Sequence, residues 1–183
     1  LKIKDTTNSL RSNMKTINKG LIMLLIGAST SIFAENIYID GNVESRCSIF
    51  TDTAGSYGNP SAFKLSTLPA DGGQIPKIRV DVSLASAYYL SVATPLSFSS
   101  SPTLSDSTVF TGAVLVTQTS SSDMSGYQAA STTPASNTRQ YALTVAGSTW
   151  VSASSLALYG GGNQTPFPSG SYRSIVVASC IPM

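Results

Sequence analysis

The amino-acid sequence predicts an all-β fold, a sandwich of two packed sheets, on three observations. Lys77-Ile78-Arg79-Val80-Asp81-Val82-Ser83-Leu84 alternates polar and apolar without a break. That is the period of a strand with one buried face, so Ile78, Val80, Val82 and Leu84 share a side. Further runs rich in β-branched and aromatic residues recur along the chain, with clusters of Gly, Asn, Asp and Pro between them. Beyond residue 34, no segment of a dozen residues carries a helical apolar period with caps.

In chain order, Asn36 to Glu44 alternates first, with Ile37, Ile39, Gly41 and Val43 on one side. Strand-like runs follow at Ala62–Leu68, at the 77–84 segment, and at Tyr88–Ala93, Val109–Thr117, Arg139–Val145, Ser154–Tyr159 and Ser171–Ile181. Gly58-Asn59-Pro60, Asp71-Gly72-Gly73, Gly160-Gly161-Gly162-Asn163 and Pro168-Ser169-Gly170 read as turns. Roughly seven or eight strands with polar turns favour a sandwich over a barrel or propeller. Ser97–Ser107 and Thr117–Thr138 lose the alternation, and Pro102 and Pro134 interrupt any ladder. These two stretches are expected as solvated loops, with a receptor-binding surface as the other reading.

Met14 to Ala34 has the layout of a secretory signal peptide. Lys15 and Lys19 supply a positive start, Leu21-Ile22-Met23-Leu24-Leu25-Ile26 an apolar stretch, and Ala34 a small residue at the cut. Ile32 is larger than the usual occupant of its position before the cut. A membrane anchor, the competing reading, needs about 20 apolar residues, and this run is roughly half that. The expected organisation is therefore 1–34 as upstream residues and signal peptide, with the start at Met14, followed by a mature chain from Glu35. Removing 34 of 183 residues leaves 149, the size of one domain. It also removes Lys2, Lys4, Arg11, Lys15 and Lys19 against Asp5 alone, leaving six basic and eight acidic residues. The mature chain is slightly acidic, so nothing in its charge invites nucleic acid.

Cys47 and Cys180 are the only cysteines. An even count in an exported chain suggests a disulfide. Metal is the weaker alternative, because the chain has no histidine and two thiols cannot complete a tetrahedral zinc site. The missing histidine also removes the usual base of a hydrolytic triad, and neither nucleophile-elbow nor phosphate-loop patterns occur. No cofactor is expected. The carboxylates Asp52, Asp71, Asp81, Asp106 and Asp123 fall in turns or on polar strand faces, where solvation explains them. Trp150 and the tyrosines could line a sugar-binding face, although cross-strand packing uses such residues as readily. The expectation is a protein that is not an enzyme.

Three stretches carry a resemblance. They are Glu35-Asn36-Ile37-Tyr38-Ile39-Asp40-Gly41-Asn42-Val43-Glu44, Pro60-Ser61-Ala62-Phe63-Lys64-Leu65, and Gly170-Ser171-Tyr172-Arg173-Ser174-Ile175-Val176-Val177-Ala178-Ser179. Together they are similar to the colonisation-factor-antigen family of fimbrial subunits (pilins) of the alternative chaperone–usher pathway. The resemblance covers both ends of the mature chain and, in between, only the strand rhythm. It implies an immunoglobulin-like sandwich over 46–183 that lacks a strand and is completed by a donated N-terminal strand, 35–45. It implies that Ile37, Ile39, Gly41 and Val43 face the groove of a neighbouring copy. It further implies a periplasmic chaperone, an outer-membrane usher, export to the cell surface as a fimbrium, and a host receptor for the fibre. The family's major subunits usually lack cysteines, so Cys47 and Cys180 leave the choice between a main-shaft and a minor subunit open. Two alternatives stand beside this reading. Residues 36–44 could be the first strand of their own domain, or the chain could be a self-contained secreted binding module, lectin-like or tip-associated.

Overall fold

A computed structural model describes residues 46–83, 87–160 and 165–183. Among these residues ten strands form: β1 (Cys47–Thr53), β2 (Gly58–Ser61), β3 (Lys64–Ser66), β4 (Lys77–Val82), β5 (Tyr88–Ala93), β6 (Thr108–Thr119), β7 (Thr132–Ala135), β8 (Thr138–Leu143), β9 (Gly147–Tyr159) and β10 (Val177–Pro182). The only helical pieces described are the 3-10 turns Pro69–Asp71 and Ser122–Met124. The fold is all-β and sandwich-like, as the strand periodicity predicts.

The larger sheet is built on β9. Along one side β9 pairs with β6 from Tyr159↔Thr108 to Thr149↔Thr119. Along the other side its first half pairs with β4 and its last residues with β3. β1 adds outside β4, and β2 outside β3. The smaller sheet runs β10-β5-β8-β7, and every pairing in both sheets is antiparallel. Prolines fall where a ladder can lose a donor: Pro60 in β2 and Pro134 in β7 both lie on edge strands.

The alternation of β4 and β5 decides what is buried. Val80, Leu90 and Val92 are fully enclosed, and with Val82, Tyr141, Leu143, Val151 and Ala153 they fill the space between the sheets. Each large apolar side chain buried this way contributes about 1.5–3 kcal/mol.

Several expectations are corrected. Gly58-Asn59-Pro60 is not a turn but most of β2, because Gly58 and Ser61 pair with β3. β9 begins at Gly147, well before Ser154. β10 is confined to Val177–Pro182, because its partner β5 ends at Ala93 and Pro95 cannot extend that edge. The residues before it turn aside instead, and Arg173 pairs with Ser100. The stretch Thr117–Thr138 is not simply a solvated loop. It holds the end of β6, all of β7 and a plug in the core, where Met124 and Tyr127 are buried. Hydroxyls make this short plug affordable for the backbone. Ser121 Oγ accepts from the Asp123 N–H, and the Tyr127 hydroxyl accepts from the N–H groups of Thr144 and Val145 at 3.2 and 3.0 Å.

The same plug closes one seam of the sandwich. The buried Tyr141 hydroxyl of β8 donates to the Val114 carbonyl of β6 at 3.2 Å, and Gln128 Oε1 accepts from the Val116 N–H at 2.8 Å. Nearby, Asn137 and Thr94 bond through two contacts of 2.8 Å. Thr94 approaches Gly112 of β6 so closely that a Cβ there would lie 2.9 Å from it.

Truncating the plug by Met124→Ala should lower the unfolding free energy by about 2–5 kcal/mol. The exposed Leu96→Ala should change it by less than about 0.5 kcal/mol, both read by urea denaturation of the oxidised protein. Burial also pushes the Tyr141 phenol up to about 12. The folded chain then holds that proton more tightly than the unfolded chain does. The stability it contributes is intact below pH ~10, the ordinary tyrosine value, and is lost as pH rises through about 12. Tyr141→Phe should flatten that alkaline decline in a stability–pH series.

Candidate functional site

Among the described residues the opposite seam has no such plug. β1 is an edge of the larger sheet and β10 an edge of the smaller one. Among the described residues each strand has a single β partner. The inward side chains of β1, Cys47 and Ile49, those of β10, Ala178 and Cys180, and Val176 just before β10 are only partly buried against the core. Between the two strands runs a groove.

The groove is bounded at both ends. At one end Cys47 and Cys180 form a disulfide with their Cα atoms 6.2 Å apart. Two strands flanking a third stand about 9.5 Å apart, twice the strand spacing, so no strand can pass between the bridged residues. The bridge therefore ends the groove, and both cysteines singled out in the sequence meet there. At the other end the Tyr57 hydroxyl bonds across to Ser174 Oγ and also to Ser155 Oγ at 3.0 Å.

Two cavities open along this length. One of about 160 Å³ reaches the core itself, with Ile78, Val92, Val151 and Ala153 as its floor and Thr53 and Val176 on its walls. The other, about 280 Å³, lies between Gly55, Tyr57, Tyr172, Ser174 and Val176. Its base is a satisfied polar pair: the Ser155 N–H donates to Thr67 Oγ1 at 2.8 Å, and the Thr67 N–H returns to the Ser155 carbonyl at 2.9 Å.

Aromatic packing holds the Tyr57 end. Phe98 sits edge-on to Tyr57, Phe110 and Phe167 and tilts against Tyr172, while Phe167 stacks on Tyr159 at 5.0 Å. Burial raises the Tyr172 phenol, whose hydroxyl donates to the Pro168 carbonyl. The sequence reading missed this cluster, because its members come from five separate segments. Phe110, Tyr159 and Tyr172 fall in runs that read as strands, whereas Tyr57, Phe98 and Phe167 fall in none.

Among the described residues the carboxylates are dispersed, and those of Asp52, Asp71, Asp81 and Asp106 are engaged. Asp71 is held below the usual carboxylate range by a Ser66 hydrogen bond and then by Lys64, whose Nζ lies 2.9 Å away. Asp81 pairs with Arg79, and Asp52 accepts from Trp150 Nε1 at 3.2 Å. Trp150 therefore belongs to the outer face of the larger sheet, away from the groove. Asp106 accepts from the Ser107 N–H and from Thr165. Ile37, Ile39, Gly41 and Val43 lie outside the described residues. Compared with protein-family models, curated proteins and solved structures, the chain finds no match.

The bridge closes a loop of 133 residues in separation. Cutting it should cost about 4–5 kcal/mol in the chain-entropy model. Intact-mass measurement without reductant should show two hydrogens fewer than the reduced chain. Adding reductant should bring the urea midpoint down sharply.

Proposed function

We propose that this protein is a structural subunit of a bacterial surface fibre, polymerising by donating residues 35–45 to the groove of the next copy. The observation that carries the reading is the seam on the side of the edge strands β1 and β10, where the end of β1 and Val176, just before β10, flank a slot that reaches Val92, Val151 and Ala153. Strand addition is the natural use of such a slot. Main-chain hydrogen bonds give affinity, and pockets for every second side chain give specificity.

Ile37 to Val43 spans six residue steps, about 20 Å of extended chain at roughly 3.3 Å per residue. Ile37, Ile39 and Val43 together would bury enough to supply about 5–9 kcal/mol. Gly41 fits a point of close approach. The signal-peptide layout before Glu35 would free the leading end that a donor strand needs. On this reading a periplasmic chaperone protects the slot after export, an outer-membrane usher exchanges it for the next subunit, and any host receptor is met by the assembled fibre.

A second reading, a self-contained secreted binding module, is favoured by the cavity beside Tyr57, Tyr172 and Arg173. Size-exclusion chromatography of periplasmic protein separates the two. A fibre subunit elutes with a chaperone or as polymers, and a binding module as a free monomer.

Ile39→Asp tests the donor role directly. Loss of the donor contact alone should leave abundant chaperone-bound subunit and no fibres. If residues 36–44 were the first strand of their own domain, the same change would bury a charge and the subunit would vanish. Normal fibres from Ile39→Asp would refute donation.

A further inference from the structure

The outer faces of the two sheets differ in kind. On the larger sheet, Arg79 lies over Phe50 and pairs with Asp81, and Trp150 is tied to Asp52. The outer face of the smaller sheet carries no charge across three cross-strand rows. Ile181, Tyr89 and Ala142 form one row, Ser179, Ser91 and Gln140 the next, and Val177, Ala93 and Thr138 the third. Ile181 is 56% exposed, Val177 58% and Tyr89 41%. Single exposed apolar side chains are ordinary, but Ile181 and Tyr89 are direct cross-strand neighbours on this uncharged face.

The chain connectivity says what covers it. The Arg46 N–H donates to Ser83 Oγ at 2.9 Å, and the Ser83 N–H donates to the Arg46 carbonyl at 3.0 Å. These bonds continue the β1–β4 pairing one step past the bridge and fix the backbone there. Only Ser45 separates Arg46 from residues 36–44. Two residue steps of extended chain reach about 7 Å. A copy that holds 36–44 in its own groove is therefore drawn against this subunit at the end where Cys47 meets Cys180. Ile181, next to the bridge, and its cross-strand neighbour Tyr89 lie at that end.

We infer that the Tyr89–Ile181 end of the uncharged sheet face is a second contact between consecutive copies of this chain, formed when the donated strand is in place. The inference rests on the donor-strand reading. An uncharged apolar row suits another protein surface rather than nucleic acid or an anionic membrane, which require basic groups. Its effect would be to hold successive subunits at a fixed angle instead of leaving them free on a tether.

The test places a photo-crosslinking benzophenone amino acid at position 181 in the full-length chain. A second variant carries it at position 109, where Val109 is exposed on the larger sheet. Fibres are irradiated, then reduced and boiled in detergent so that only covalent links survive. The expected result is a dimer band from position 181, several-fold stronger than from position 109, and absent in the Ile39→Asp background. Fibres that form normally but give no dimer from position 181 would overturn the second contact while leaving the donor strand standing. So would crosslinks to a different protein or to lipid alone, or a dimer that persists in Ile39→Asp. Failure of the unmodified chain to polymerise at all would instead bring down the donor-strand reading, and the second contact with it.

Discussion

The larger sheet is assembled on β9. It carries β6 along one side and shares the other between β4 and β3. That division requires a long, straight strand whose inward side chains are small enough for the facing sheet to approach. Val151, Ala153, Ser155 and Ala157 meet the requirement, and all four are buried. The cost of burying Ser155 is met by Thr67, which satisfies both its N–H and its carbonyl. A large residue at Ala153 or Ala157 would push the sheets apart, and an unpaired hydroxyl at Ser155 would leave a buried polar group exposed to nothing.

With that spine in place, the two seams of the sandwich are built from different materials. One is closed by side chains reaching backbone groups, Tyr141 to Val114 and Gln128 to Val116, around a plug of Met124 and Tyr127. The other is held by a covalent bond at one end and a hydroxyl contact at the other. The first arrangement satisfies the backbone locally. Among the described residues the second leaves the outer edges of β1 and β10 without a strand partner while keeping them a set distance apart. Both seams thus contribute to stability, one through packing and hydrogen bonds and the other through a covalent link.

How much of this was legible depended on contrast between adjacent residues. β4 and β5 were plain because charged or hydroxyl residues alternate with Val and Leu. β9 was half hidden. In its second half Leu156 and Leu158 sit on the outer face while Ser155 and Ala157 are buried, so hydropathy points the wrong way. β7 was hidden by Pro134, which an edge strand tolerates. The plug was hidden by its serines, although Met124 and Tyr127, three residues apart in a polar run, were a usable signal. The disulfide followed from a count of two, but the groove did not. It is lined by Thr53, Gly55, Tyr57, Tyr172 and Val176, residues whose types predict nothing until the topology sets β1 opposite β10.

The prolines in β2 and β7 and the Gln128 bond on β6 have a consequence for how the molecule crowds. Strand addition requires a row of free donors and acceptors, and each of these edges has been interrupted. On the donor-strand reading proposed above, the number of neighbours a molecule takes by this route, its valence, is set by the β1–β10 seam and by the segment it offers in return. Particles of valence two grow into lines, whereas particles of valence three branch and set into networks. At high concentration such a molecule would thicken a solution with unbranched threads.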